Sequence, residues 1–480
     1  MSSLRIGFLP FYVDYYEGIC ANFPREKAAV AEVCAKELAR FGDVGWDKSL
    51  VRDLEGAAQA GASLAHWKPD CVVVVTTIAV FGGICRAALT HIDVPILIWN
   101  PQLIESVDEG YSMEDIVRNT GQIGTQALAN TLVREGRRFR VITGHLGSAS
   151  MAAELDRFFR VQSVAAALRK ARLLAVGGSF ELMTDILIDE KELRVLLGPT
   201  VAHVSTEELT RRYLAVAEET VACKVAHLRS AHAVIGLTDD ELSRSARLSA
   251  AFAGLVEDHG ADAGSFNCHG GVCLRNPAIG ITGCLAHGEQ NAHGRPFTCT
   301  GDLATAIAML ILKKLTGGSM YTEVQVMDER RAAVVIANSG EGEDAIRRLG
   351  HRSTLIANMN FRGCCGRGAS FCYPLADGPA TLASFTPVRG GFRLIVAEGD
   401  VLGETLPDAG ALAGFFRFAG TSLTRSYCRW MEAGAVHHAA TALGHWASEL
   451  RELCDWLGIE FVEVDSLWSH GRKRTFTSAS

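Results

Sequence analysis

Residues 68–75 read Lys68-Pro69-Asp70-Cys71-Val72-Val73-Val74-Val75. Proline and aspartate stop any preceding helix, and the valine run that follows favours extended backbone. The run does not alternate with polar residues. A strand that is apolar on both sides belongs inside a parallel sheet covered on both faces. Outward from it, Leu4–Leu9, Pro95–Trp99 and Arg140–Gly144 have the same strand-like character. Between them, Glu26–Phe41, Val80–Leu89, Met113–Glu135 and Ser148–Ala171 carry apolar residues at helical spacing. This alternation predicts an α/β unit with a parallel sheet, whose ligands belong at the carboxyl ends of the strands, after Leu9, Val75, Trp99 and Thr143.

A second α/β unit starts at Leu173-Leu174-Ala175-Val176-Gly177-Gly178. It contains the helical patterns Thr206–Ala231, Leu242–Asp258 and Leu303–Leu315, the last closed by Thr316-Gly317-Gly318. The final third changes character. Glu323–Ala337, Ser353–Asn358, Thr381–Pro387 and Phe392–Glu398 read as strands, followed by a helix over Ala439–Leu457, a strand at Glu460–Val464 and a polar tail, Ser469–Ser480. The expected architecture is two Rossmann-like parallel-sheet α/β domains, residues 1–173 and 174–320, then a β-rich, barrel-like domain, residues 321–480.

Composition narrows the function. The 480 residues are 48% hydrophobic and 21% charged, with a net charge of −7. That balance argues against nucleic-acid binding, which needs clustered Lys and Arg. No run approaches the ~20 apolar residues of a membrane span. The start, Met1-Ser2-Ser3-Leu4-Arg5, runs directly into a strand, so no signal peptide is expected. The fourteen cysteines are scattered, as reduced thiols of a cytoplasmic protein would be.

Chemistry concentrates in Ser265–Asp302, SFNCHGGVCLRNPAIGITGCLAHGEQNAHGRPFTCTGD. Cys268 and Cys273 with His269 form either a metal clip or a set of buried thiols. Around Cys364-Cys365, Arg362 and Arg367 suit a phosphate or carboxylate, as does Arg425 further on. The pair His437-His438 offers a ligand, an acid/base or a satisfied histidine near a helix start. Among the acidic residues Glu323, Asp328, Glu341 and Glu343, Glu341 follows an apolar strand directly, where an α/β site places a carboxylate. No P-loop, Gly-x-Ser-x-Gly or His-Glu-x-x-His occurs, and no dinucleotide fingerprint is complete.

Several segments together resemble the L-arabinose isomerase and L-fucose isomerase superfamily, closer to the arabinose side. They are VITGHLGSASMAAELDRFF (141–159), LLAVGGSFELM (173–183), Asn119-Thr120-Gly121-Gln122, FTCTGDLATAIAML (297–310), Gly378-Pro379-Ala380-Thr381-Leu382 and Ala433-Gly434-Ala435-Val436-His437-His438. The resemblance spans nearly the whole chain. It implies a homo-oligomer with active sites between subunits, acting on a small carbohydrate. The implied reaction interconverts aldose and ketose through an ene-diol, with carboxylates moving the proton and Mn²⁺ or another divalent ion holding the oxygens.

Carried over residue by residue, His438 matches the family's second ligand histidine. Gln122 and Met183 match substrate-lining positions, and Thr300 and Asp302 fall in the Glu-Gly-Asp segment. Thr300 stands where that segment has its glutamate, and Asn358-Met359-Asn360 stand where the family has its first ligand histidine. Glu341 and Glu323 are the candidates for the missing carboxylates. The resulting expectation assigns Glu341, Glu323 and His438 to catalysis and to the metal. Gln122, Met183, Thr300, Asp302, Arg362 and Arg367 are assigned to substrate. Two alternatives remain open: a metal-independent enzyme on a sugar acid or sugar phosphate, and a sugar-binding homologue without catalysis.

Overall fold

The computed structural model describes residues 3–180, 182–269, 271–358, 367–404, 406 and 412–465. Contacts divide the chain into two compact units, Met1–Ala166 and Ala167–Ser480. Arg362 and Cys364-Cys365 lie outside the described residues.

The first unit carries β1 (Leu4–Phe11), β2 (Gly42–Gly45), β3 (Cys71–Thr76), β4 (Ile96–Gln102) and β5 (Phe139–His145). They form one parallel sheet in the order β2-β1-β3-β4-β5. The valine run is the central strand, and its side chains are buried throughout. The core around it joins Leu9, Phe11, Val72, Val74, Ile96 and Ile98 to helix residues such as Leu64, Leu89 and Leu128. The stretch read as one helix, Met113–Glu135, is two: Met113–Arg118 and Gly121–Arg134. The second begins against β3. A Cβ at Gly121 would lie 2.6 Å from the Thr76 carbonyl oxygen, so only glycine permits the approach.

The second unit begins with β6 (Arg172–Val176), β7 (Thr200–Val204), β8 (Ala233–Ile235), β9 (Ala263–Phe266) and β10 (Phe297–Cys299). Four of these form a parallel sheet, β10-β9-β6-β7. The later strands are β11 (Met320–Asp328), β12 (Ala333–Ala337), β13 (Thr354–Ala357), β14 (Ala369–Cys372), β15 (Gly378–Val388), β16 (Gly391–Val401), β17 (Ala413–Phe418), β18 (His438–Leu443) and β19 (Glu460–Glu463). β8, β13 and β14 make a small mixed sheet. Six others close into an antiparallel barrel, β15-β18-β11-β12-β17-β16, because β15 pairs with both β16 and β18. β19 adds parallel to β16 outside the ring. The expected α/β, α/β, β-rich architecture is therefore present.

Three further expected elements are corrected. Thr206–Ala231 is broken into Thr206–Ala215 and Glu218–Ala231, because Val216 and Ala217 are extended. Glu323–Ala337 is a hairpin, β11 and β12, whose turn is held by the Asp328 carboxylate accepting from the Arg331 N–H. Ala439–Leu443 lies in β18 rather than in a helix, and the helix begins at Ala447. The alanines of β18 are buried between the barrel and the helix Leu303–Thr316, where small side chains fit closely packed backbone.

That helix is what positions the site. Its sequence, LATAIAMLILKKLT, is apolar nearly all round, and so are its surroundings. It packs against β9 and β10 of the parallel sheet and against β15 and β18 of the barrel. Its first turn thus meets the start of β18. Among the described residues, no helix is long and apolar enough to cross a membrane.

Candidate active site

Asp302 is the N-cap of the helix Leu303–Thr316, with its side chain accepting from the Thr305 N–H at 2.8 Å. The cap ends a tight turn, Thr300-Gly301-Asp302. Thr300 takes φ +60°, unusual for a β-branched residue, and Gly301 takes φ +83°. A Cβ on Gly301 would stand 2.3 Å from the Gly178 carbonyl oxygen. Thr300 is tied down as well: its hydroxyl donates to the Cys299 carbonyl, and its own carbonyl accepts from Phe180 N–H.

The second Asp302 oxygen meets His438 Nδ1 at 2.8 Å. Both groups are buried, with side-chain exposures of 0% and 2%. A carboxylate accepts, so the Nδ1 position carries the hydrogen and Nε2 is left as the base. Nε2 faces Glu323 Oε1 at 3.6 Å. The antiparallel register explains the meeting, since Glu323 of β11 stands directly opposite His438 of β18. Glu323 is 34% exposed at its side chain, so the row Asp302–His438–Glu323 runs from the dry interior to an accessible carboxylate. Tyr321, two residues along the same strand, sets its ring 4.7 Å from the imidazole.

Glu341 is completely buried, and neither of its carboxylate oxygens has a hydrogen-bond partner among the described residues. Burial pushes its pKa up to about 7, and the nearby charge of Glu323 adds to the effect. Cys284 and Cys299 lie close enough to sense its charge. Cys299 ends β10, Cys268 lies two residues past β9, and the parallel pairing of those strands sets their sulfurs 3.6 Å apart. With His269 they form the one group of three metal-ligand-type side chains, among the described residues, whose donor atoms all lie within 4.8 Å of one another. Cys273, the thiol that the sequence paired with Cys268, is not in that group. It is buried, and burial, with a smaller contribution from Cys268, raises its pKa well above the ordinary thiol value.

Of the residues singled out from sequence, His438, Glu323 and Asp302 come together, with Glu341 in electrostatic reach of Glu323. Met183 lies in the turn before Thr184–Ile186, and Asp185 in that turn pairs with His437 Nδ1 at 2.6 Å. Burial works against the Asp185 carboxylate, but the hydrogen bonds and charge of His437 hold its pKa below the ordinary range. Arg367 pairs with Glu241 at 2.9 Å. Arg425 is exposed on the helix Leu423–Glu432. Gln122 belongs to the first unit, donates to Gln102 at 2.9 Å, and lines a cleft with Lys27, Thr76 and Asn100 at the carboxyl ends of β3 and β4.

Sequence reading missed Tyr321 and the Asp185–His437 pair. Tyr321 was detectable as the i−2 neighbour of Glu323 on one face of a strand. The Asp185 pairing, spanning 252 residues, left no local signal.

Two parallel-sheet α/β layers followed along the chain by a closed antiparallel barrel, with a buried imidazole between two acids, define an α/β-plus-barrel protein with a candidate acid–base site. Residues 326–460 match the family model of the L-arabinose isomerase C-terminal domain. L-arabinose isomerase of Actinobacillus succinogenes is 22% identical over 425 residues, covering 83% of each chain. The enzyme of Mannheimia succiniciproducens is 20% identical over 418 residues, 84% of this chain and 83% of its own. That of Yersinia pseudotuberculosis is 22% identical over 423 residues, 84% and 82% respectively. Over more than four fifths of its length the chain is thus distantly similar to L-arabinose isomerases, and its C-terminal part matches the model of their C-terminal domain.

Proposed function

We propose that the protein is an aldose–ketose isomerase acting on a small carbohydrate, with proton transfer between adjacent carbons carried by Glu323 and His438. The observation that carries this reading is the row Asp302–His438–Glu323. An ene-diol reaction needs one group to remove a proton from carbon and another to handle the proton on the neighbouring oxygen. Glu323 is the accessible carboxylate, suited to the carbon-bound proton. His438 Nε2 is suited to the oxygen. Asp302 holds the imidazole in one tautomer and stabilises it when it gains a proton, so Asp302 is a positioning residue rather than a substrate contact. Glu341, half-protonated near neutral pH by its burial, is a second carboxyl in reserve beside Glu323. Gln122, Met183 and Thr300 remain candidates for sugar contacts, as does a homo-oligomeric cytoplasmic setting in which subunits complete one another's sites.

The family points to a divalent ion, manganese above all, which would hold neighbouring sugar oxygens and stabilise negative charge on them. The donors present do not suit it. Asp302 is consumed by His438 and by the helix cap, and Thr300 is a poor ligand. His438, Glu323 and Glu341 do not converge as a three-donor set. Two protein donors hold such an ion weakly, so the proton-transfer roles above are derived from the side chains alone.

The test is a panel of pentoses and hexoses in D₂O, followed by NMR for ketose formation and for deuterium at the carbon next to the carbonyl. Turnover is expected with at least one sugar, and Glu323→Gln and His438→Asn should each lower it by ~10²-fold or more. A panel with neither exchange nor ketose rejects the reading.

A further inference from the structure

We propose that Cys268, His269 and Cys299 form a binding site for a thiophilic divalent cation, zinc above all, with three protein donors and a fourth position open. The inference does not depend on the isomerase reading. It starts from the sulfur separation of 3.6 Å. Two thiolates bound tetrahedrally to zinc at ~2.3 Å each stand about 3.8 Å apart, whereas a disulfide requires about 2.05 Å. The observed pair has the first spacing, and the His269 donor lies within 4.8 Å of both sulfurs.

The second observation is Glu341. A carboxyl buried completely beside Cys299, with no hydrogen bond of ordinary geometry to either oxygen among the described residues, is an expensive arrangement for a charged group. A dication at the thiols supplies the missing positive charge. It also relieves the crowding of Cys268, Cys284 and Cys299 around the Glu341 carboxyl. The soft donor set selects zinc over manganese or magnesium.

Place and access agree with this. Cys268 and Cys299 sit at the carboxyl ends of neighbouring parallel strands, where α/β sheets bind ligands. The sulfurs are buried while His269 is half-exposed, which gives the ion a way in. His269 lies within electrostatic reach of His438. An oxygen filling the fourth position would therefore lie near the acid–imidazole row, and hydroxyl or carbonyl groups of a small molecule are the class of ligand it accepts.

The experiment is elemental analysis of the full chain purified under reducing conditions without chelator, followed by zinc removal and titration with Co²⁺. Wild type is expected to retain one zinc per chain. The cobalt form should show thiolate-to-cobalt charge transfer and tetrahedral ligand-field bands. Cys268→Ser and Cys299→Ser should weaken binding at least ~100-fold and remove the charge-transfer band. His269→Gln, a change at a half-exposed position, serves as the variant least able to disturb folding and should weaken binding as well. His438→Asn and Glu323→Gln should leave the cobalt spectrum in place, which separates this site from the proton-transfer pair whether or not any sugar is turned over. Zinc-free wild type with no cobalt spectrum overturns the proposal. So does metal that is lost from His438→Asn yet kept by Cys299→Ser.

Discussion

Asp302 joins two buried partners, and its removal tests the centre of the site without reference to any substrate. Asp302→Ala deprives the helix Leu303–Thr316 of its cap, the 2.8 Å bond from Thr305 N–H, worth about 1 kcal/mol. It also strands the Nδ1–H of His438, whose ring is nearly inaccessible to water. An orphaned buried donor costs about 1–3 kcal/mol. The sum is about 2–4 kcal/mol. At 1.36 kcal/mol per decade, local opening of the helix becomes roughly 30- to 1,000-fold more frequent. Hydrogen exchange followed by mass spectrometry on peptides from 303–316 reads this directly. Asp302→Asn behaves differently: its amide oxygen caps Thr305, and its NH₂ faces Nδ1, which must then accept. The helix should lose only about 1 kcal/mol, while His438 switches tautomer and presents Nε2–H to Glu323. A swap of this kind behind a catalytic imidazole lowers turnover by about 10⁴-fold. Exchange accelerated less than ~3-fold in Asp302→Ala, or unchanged turnover in Asp302→Asn, would refute the reasoning.

Three other outcomes are expected. Lys27 is buried, and burial lowers its pKa from 10.5 to about 8. The unfolded chain therefore binds more protons between those values, and stability rises with pH across that window by up to about 3 kcal/mol. Lys27→Met should flatten this rise in urea unfolding of the first unit, and an undiminished rise would exclude the assignment. Gly301→Ala forces a Cβ against the Gly178 carbonyl at positive φ, so thermal unfolding should show a loss of at least ~2 kcal/mol, and a neutral variant would contradict the turn geometry. Lys313 and Glu343 form a buried pair at 2.6 Å, with side-chain exposures of 8% and 2%. Lys313→Met alone should cost ~3–5 kcal/mol by stranding the carboxylate, while Lys313→Met with Glu343→Leu recovers most of it in calorimetry; equal losses in the single and double variants would count against the pairing.

Periodicity in the chain was informative wherever one environment surrounds an element. The all-apolar valine run could only be a central strand, and LATAIAMLILKKL could only be a helix without a wet face. Boundaries failed where the stop was not Gly or Pro. Val216 and Ala217 interrupt a helix although neither residue is a breaker. The β11–β12 turn rests on Asp328 capping its own loop, with Ala332 at φ +49°. Ala439–Leu443 reads as helix because its alanines carry helix propensity, which packing against the helix Leu303–Thr316 overrides.

By itself the amino-acid order determined the two parallel-sheet layers and the β-rich end, because strand and helix periods are local and are set by which faces meet water. It also singled out His438, Glu323 and Asp302 as chemically apt. Only the folded chain decided that these three form a row and that Cys268 finds Cys299 rather than Cys273. Those meetings depend on register: Glu323 opposite His438 across an antiparallel pair, and β10 beside β9 in a parallel one. Register is fixed by side chains packed from segments more than a hundred residues apart in the first case and 31 in the second, and the periodicity within a segment does not say which residue of another it will face.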